Sequence, residues 1–90
     1  MNQYGRRIQK HWQTHLPSQY AQITDPETFF AEQGETAATQ IQALTDSLAG
    51  QDQPGETFMD KLGRINMAQN NAEDAVMREM LPAVETTTTA

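Results

Sequence analysis

The stretch KLGRINMAQNNAEDAVMREML, residues 61–81, decides the fold. Its apolar residues recur at spacings of three and four, which is the period of an amphipathic helix. Gly63 interrupts this pattern, although glycine costs about 1 kcal/mol relative to alanine inside a helix. A second glycine, Gly5, lies in a similar context in YGRRI, near the other end of the chain. Because glycine in a helix often marks the close approach of another backbone, the two glycines predict that the ends of the chain pack together.

Two more helices are predicted upstream. Apolar residues recur every four positions from Tyr4 to Leu16, and Pro17 ends that helix or opens a short second one. A third helix begins at Thr24 or Asp25, either of which can cap it. Its apolar stripe includes small residues that let a neighbouring helix approach, and Gly50 stops it. The stripe residues are Phe30, Gly34, Ala37, Ile41, Leu44 and Leu48.

A loop over residues 50–55 separates this helix from the last one, which runs from about Glu56 to Leu81. The expected fold is therefore all-α, a small helical bundle of two long antiparallel helices with a shorter N-terminal helix packed alongside. Residues 1–81 form one domain, and residues 82–90, PAVETTTTA, form a disordered C-terminal tail.

Composition limits the classes of function. The chain has 90 residues, no cysteine and no run long and apolar enough for a membrane span. We expect a soluble cytoplasmic protein without a membrane partner. An apolar fraction of 37% supports only a lean core in a chain of this size. The stripe from Phe30 to Leu48 fits the interface of a homodimer as well as that of a hairpin within one chain, so the sequence does not decide between them.

The net charge of −6 is unevenly distributed. Residues 16–60 carry eight acids and no base, so this part should repel nucleic acid and attract basic protein surfaces. We take these eight acids as candidate partner-binding residues: Asp25, Glu27, Glu32, Glu35, Asp46, Asp52, Glu56 and Asp60.

Residues 1–15, in contrast, carry Arg6, Arg7 and Lys10 and no acid. These bases lie among aromatic residues, as in many nucleic-acid-binding surfaces, and they define an alternative in which the N-terminal helix binds DNA. Three bases make only a small phosphate footprint, so direct nucleic-acid binding ranks below protein binding.

Catalytic, metal and cofactor sites are not expected. His11 and His15 lie four residues apart on a helix, but no third metal ligand is recognisable. Neither a nucleophile with its base nor a glycine-rich phosphate loop is present. Arg64 is expected to fix helix register by pairing with an acid. The acids considered for that pair are Glu35, Asp46, Asp60 and Glu73.

Two blocks of sequence resemble a known family. The first is Tyr4-Gly5-Arg6 followed by Leu16-Pro17 and Tyr20; the second is Gly63-Arg64-Ile65-Asn66 followed by Ala72-Glu73-Asp74, Val76 and Glu79. In their order and spacing they resemble the transposon-encoded TnpV-type family of small proteins and related proteins of bacterial mobile elements and prophages. The blocks cover under half the chain. The resemblance implies an element-borne accessory protein without assigned catalysis.

From these observations we expect a non-enzymatic protein-binding accessory protein of a mobile element or phage, whose partner is a host or element-encoded protein. The more specific hypothesis is an acidic inhibitor that occupies a basic, nucleic-acid-binding surface of a host defence machine, as an anti-CRISPR protein does.

Overall fold

Four helices make up the part of the chain described by a computed structural model, residues 1–84. Helix α3 packs along α4 as an antiparallel hairpin, and α1 packs on α3. The all-α bundle predicted from the sequence is therefore confirmed. The helices are α1 (Gln3–His15), α2 (Pro17–Ala21), α3 (Pro26–Ala49) and α4 (Phe58–Met80).

Local signals set the ends of the two long helices. Asp25 caps α3, accepting hydrogen bonds from the Thr28 backbone N–H at 3.3 Å and the Thr28 hydroxyl at 2.7 Å. Gly50 ends α3 with a φ of 66°, a left-handed conformation that glycine adopts without strain. Thr57 and Asp60 form a capping box at the start of α4.

Helix α1 approaches α3 at two glycines. The Asn2 side-chain amide donates to the Gly34 carbonyl at 2.9 Å, and its Oδ1 accepts from the Gly5 N–H. A Cβ added to Gly34 would lie 2.7 Å from the Gly5 nitrogen, and one added to Gly5 would lie 2.6 Å from the Phe30 carbonyl oxygen. Backbone meets backbone here, so the expected close approach at Gly5 and Gly34 is confirmed.

The expectation for Gly63 was wrong. No atom outside its own helix lies within 4 Å of a Cβ added there, and the residue is exposed. The close partner of α1 is α3 at Gly34, not the last helix at Gly63. The two ends of the chain do meet through side chains, since the Tyr4 hydroxyl donates to Glu73 Oε1 at 2.9 Å.

The hydrophobic core lies in one half of the hairpin. Buried residues from α1, α3 and α4 pack together there: Ile8, Phe30, Ala37, Ile41, Ala72, Val76 and Met77. We call this the covered half, because α1 lies over it. Residues 46–67, which we call the free half, contain no buried residue. The molecule measures 61 × 28 × 16 Å, and its radius of gyration of 17.0 Å exceeds the roughly 12 Å of a compact chain of this length.

The described part of the predicted tail, residues 82–84, is not helical. Its first residue contacts α1, because the His11 Nε2 donates to the Pro82 carbonyl at 2.7 Å. The disorder predicted for the rest of the tail falls on residues 85–90, which lie outside the described residues.

Candidate interaction surfaces

The eight candidate acids do not form one surface. Asp25 and Asp60 serve as helix caps: Asp60 accepts from the Thr57 N–H at 3.3 Å while the Thr57 hydroxyl accepts from the Asp60 N–H. The hydrogen bonds from Thr28 hold the pKa of Asp25 below its usual value, because they stabilise the ionised carboxylate. The capping roles explain these two acids without a partner.

Asp52 and Glu56 belong to an ion-pair cluster around Arg64. The guanidinium donates to both Glu56 carboxylate oxygens, at 2.8 and 3.0 Å, and also to the Ala49 carbonyl. Asp52 lies 3.5 Å from the same guanidinium and 2.9 Å from the Lys61 Nζ. The hydrogen bond from Arg64 lowers the pKa of Glu56, and the same bond raises that of Arg64.

This cluster corrects the expected pairing of Arg64. The sequence favoured acids within helices, Glu35, Asp46, Asp60 or Glu73, as its partner, but the guanidinium binds acids of the loop between α3 and α4. The reason is length: an arginine in the second turn of α4 reaches back over the loop to the last carbonyl of α3. Arg64 therefore fixes the loop to both helix ends.

Three of the remaining acids lie together on α3. Glu27, Glu32 and Glu35 line a shallow depression of about 750 Å³, whose apolar part comes from Met1 and Ala31. The three glutamates are exposed, and within residues 1–84 no lysine, arginine or histidine forms an ion pair with them. We call this the acidic depression. It is the part of the predicted acidic surface where several acids outside any ion pair of the described chain lie together.

Asp46, the last of the eight, lines a separate groove of about 660 Å³. The groove begins at Tyr4, in the first turn of α1, and continues between α3 and α4 to the start of the loop. Burial and the hydrogen bond to Glu73 raise the pKa of Tyr4. Thr45 also lines the groove; it is 8% exposed, and its hydroxyl has no hydrogen-bond partner. No sequence signal predicts this groove, because it lies beyond the N-terminal end of α1, where that helix no longer covers α3.

The bases of α1 face outward. Arg6, Arg7 and Lys10 are all exposed, and none of them forms an ion pair with another residue of the described chain. Arg7 borders a second depression that also includes Glu73, Asp74 and Arg78, so its surroundings carry both signs of charge. The basic face expected from the sequence is thus exposed, but it is bordered by acids.

Large apolar side chains are exposed on the free half. Phe58 is 75% exposed and Met59 71%, while Leu48 and Leu62 are 51% and 41% exposed. Leu48 belongs to the apolar stripe predicted for α3, and Phe58 and Leu62 lie at the start of α4 with the spacing of one helical face. They follow the helical period, but α1 does not reach this far along the hairpin.

The titratable groups with shifted pKa values have structural explanations: a cap for Asp25, the loop ion pair for Glu56 and Arg64, and the link between helices for Tyr4. The rings of His11 and His15 lie 4.8 Å apart. No group of three or more residues that could hold a metal ion is found in the described part of the chain. Among residues 1–84, no helix is long and apolar enough to cross a membrane.

No protein-family model, no curated protein and no solved structure matches this chain.

Proposed function

We propose that this chain is a non-enzymatic, protein-binding accessory protein of a mobile element or phage, and that its acidic depression binds a basic surface of a partner protein. The single observation that carries the proposal is the grouping of Glu27, Glu32 and Glu35 in one depression without a cationic partner in the described chain. The assignment to a mobile element rests on the TnpV-like sequence blocks alone.

Electrostatics support this reading of the depression. Acids that cap helices or pair with arginine stabilise the chain itself, whereas Glu32 and Glu35, three residues apart on α3, repel one another. Their repulsion falls when a basic surface covers them, which makes them better suited to binding than to stability. Met1 and Ala31 add apolar area beside the charges, as in many protein interfaces.

The specific version of the proposal is inhibition. A basic partner surface that binds nucleic acid would be occupied by the acidic depression, so the protein would act as a competitor of nucleic acid on a host defence machine. Such an interaction depends on charge, and it should weaken as salt screens the carboxylates.

The test is affinity capture from a bacterial lysate with the wild-type chain and with Glu32→Gln/Glu35→Gln. The matched control is Asp74→Asn/Glu79→Gln, which removes two exposed carboxylates from α4. We expect at least one captured protein whose recovery falls about tenfold with the α3 variant and with added salt, but not with the control.

The captured protein is then purified, and its binding to nucleic acid is measured by mobility shift with and without the chain. We expect the wild-type chain to displace nucleic acid and Glu32→Gln/Glu35→Gln to fail. A capture profile identical for the wild type and the α3 variant would contradict the proposal.

A second candidate function is DNA binding through α1, favoured by the exposure of Arg6, Arg7 and Lys10 without ion pairs in the described structure. Three phosphate contacts predict that log affinity for duplex DNA falls against log salt with a slope of about −2.7. Replacing all three bases with glutamine should abolish the shift of a DNA probe. A wild-type chain that shifts no probe at low salt would exclude this candidate.

A further inference from the structure

The groove beside Thr45 continues the surface of α3 on which α1 packs. Helix α1 has 13 residues and spans about 20 Å, whereas α3 has 24 residues and spans about 36 Å. Eleven residues are three helical turns with a rotation of only about 20°, so Ile41 and Thr45 occupy the same face of α3 as Phe30 and Gly34. The face of α3 on which α1 packs therefore continues for about another three turns, and α1 does not cover it there.

The floor of the groove contains an unsatisfied hydroxyl. Ile41 and Ile65 supply apolar surface, and Ala38 and Ala49 leave room for another helix. Thr45 is 8% exposed, and its Oγ1 has neither a protein hydrogen bond nor contact with bulk solvent. Buried polar atoms nearly always have a partner, so this hydroxyl is an exception at the groove. Because it is closed to solvent, a bound chain reaches it only after the Thr45 side chain turns towards the groove.

The rim of the groove favours a cation. Asp46 lines it with an exposed carboxylate outside any ion pair among residues 1–84, and the C-terminal end of α3 adds the negative end of a helix dipole with no basic residue in its last turn. Asp52 also lines the groove, but it is already paired with Lys61 and Arg64. The one guanidinium in the groove, that of Arg64, is already bound to Glu56 and to the Ala49 carbonyl. The charge left for a ligand is negative.

We propose that this groove binds a cationic amphipathic helix of a partner protein, which prolongs the line of α1 along the hairpin. The helix places small apolar side chains on Ile41 and Ile65, and its lysines or arginines lie beside Asp46 and the carboxyl end of α3. This is the helix-in-groove mode of recognition. The proposal rests on the proposed function in that the partner is a basic protein, but it assigns a second site, separate from the acidic depression.

The first test uses two synthetic probes and the full chain. One is an 18-residue, end-blocked, fluorescein-labelled peptide with alanine and leucine at helical spacing and lysine at the flanking positions; the other carries glutamate in place of lysine. We expect saturable one-to-one binding of the lysine peptide by fluorescence anisotropy, and binding at least about tenfold weaker for the glutamate peptide, the equivalent of about 1.4 kcal/mol.

Variants locate the contact. Asp46→Asn, which leaves the loop ion pairs intact, should weaken binding of the lysine peptide about threefold. Ala38→Trp, which fills the groove from its half-exposed edge, should abolish binding. Glu32→Gln/Glu35→Gln is the matched control and should bind as the wild type does. Circular dichroism establishes that each variant is helical, and the charge variant tests the site even where the tryptophan variant does not fold.

Three results would overturn the proposal: no saturable binding up to about 1 mM peptide, binding that the groove variants leave unchanged, or a dimer in sedimentation that the lysine peptide dissociates. The last result would mean that a second copy of the chain binds in the groove. If the peptide does not bind but partner capture still depends on Glu32 and Glu35, the proposed function stands. Peptide binding without any captured partner would contradict the proposed function but support the groove as a binding site.

Discussion

The covered half and the free half of the α3–α4 hairpin are built from the same two helices, yet only one of them has a core. In the covered half, α1 closes over the hairpin and buries Phe30 completely. In the free half, no residue between positions 46 and 67 is buried, and Phe58 is 75% exposed. Two packed helices do not suffice to bury a large side chain, whereas three do. The difference shows that α1 determines where the stability of the molecule lies.

The same difference separates stability from binding. The covered half uses its apolar residues for folding, so few of them are available to a partner. The free half keeps its apolar side chains exposed and holds its loop with ion pairs around Arg64 instead. A surface that is ordered but poorly buried is suited to contact with another chain.

The largest expected effect comes from a matched pair of phenylalanines. Phe30→Ala should cost about 3–5 kcal/mol in free energy of unfolding, because the side chain is fully buried and contacts Trp12 and Tyr20. Phe58→Ala should cost less than about 0.5 kcal/mol, because its side chain is exposed. Urea denaturation followed by circular dichroism measures both. A large loss at Phe58 would mean that a second copy covers the free half in solution.

A matched pair of glycines comes next. Gly34→Ala adds a methyl group 2.7 Å from the Gly5 nitrogen and closer still to Asn2 Oδ1, so α1 must move away, and we expect a loss of about 2 kcal/mol. Gly63→Ala meets no atom outside its own helix and improves helix propensity, so it should add up to about 1 kcal/mol. Equal effects of the same sign at both positions would refute the close approach of α1 to α3.

These two glycines also show how much of the fold can be predicted from the sequence. Helical period, the proline at position 26 and the glycine at position 50 predicted the long helices within a few residues, because those signals are local. Both glycines looked alike in sequence, since each lies inside a helical pattern. Which of them meets another backbone depends on where a third helix docks, and that is a property of the assembled fold.

The candidate surfaces were less predictable for the same reason. The acids of residues 16–60 were visible in sequence, but their division into caps, a loop cluster and the acidic depression depends on which donors lie nearby in space. The groove at Thr45 follows from the length of α1 relative to α3. A count of residues predicts that one helix is shorter, but not which part of its neighbour it leaves uncovered.

Thr45→Val should stabilise the chain. Valine has almost the same shape and removes the unsatisfied hydroxyl at the edge of the core, so the free energy of unfolding should rise by about 1 kcal/mol. Urea denaturation measures this change. The reference is Thr39→Val, at an exposed position of the same helix, where the change should be close to zero. Destabilisation by Thr45→Val would mean that the hydroxyl is hydrogen-bonded in solution.

The smallest expected effect concerns the ion pair that holds the loop of the free half. The pKa of Glu56 is lowered by its hydrogen bonds from Arg64, so the folded state binds this proton less tightly than the unfolded state does. The stabilisation is therefore complete above the ordinary glutamate pKa of 4.5 and is lost as the pH falls through the lower pKa of the folded state.

Wild type should accordingly be more resistant to urea than Glu56→Gln at pH 7, and the difference should shrink as the pH falls below 4.5. Glu35→Gln, which removes a carboxylate outside any ion pair among residues 1–84, serves as the control at pH 7. The net effect is small because the Glu56 and Arg64 side chains are 8% and 22% exposed, so the desolvation of the two charges offsets much of their attraction. A difference that persists undiminished at low pH would show that packing, and not charge, holds the loop, which would extend the core into the free half.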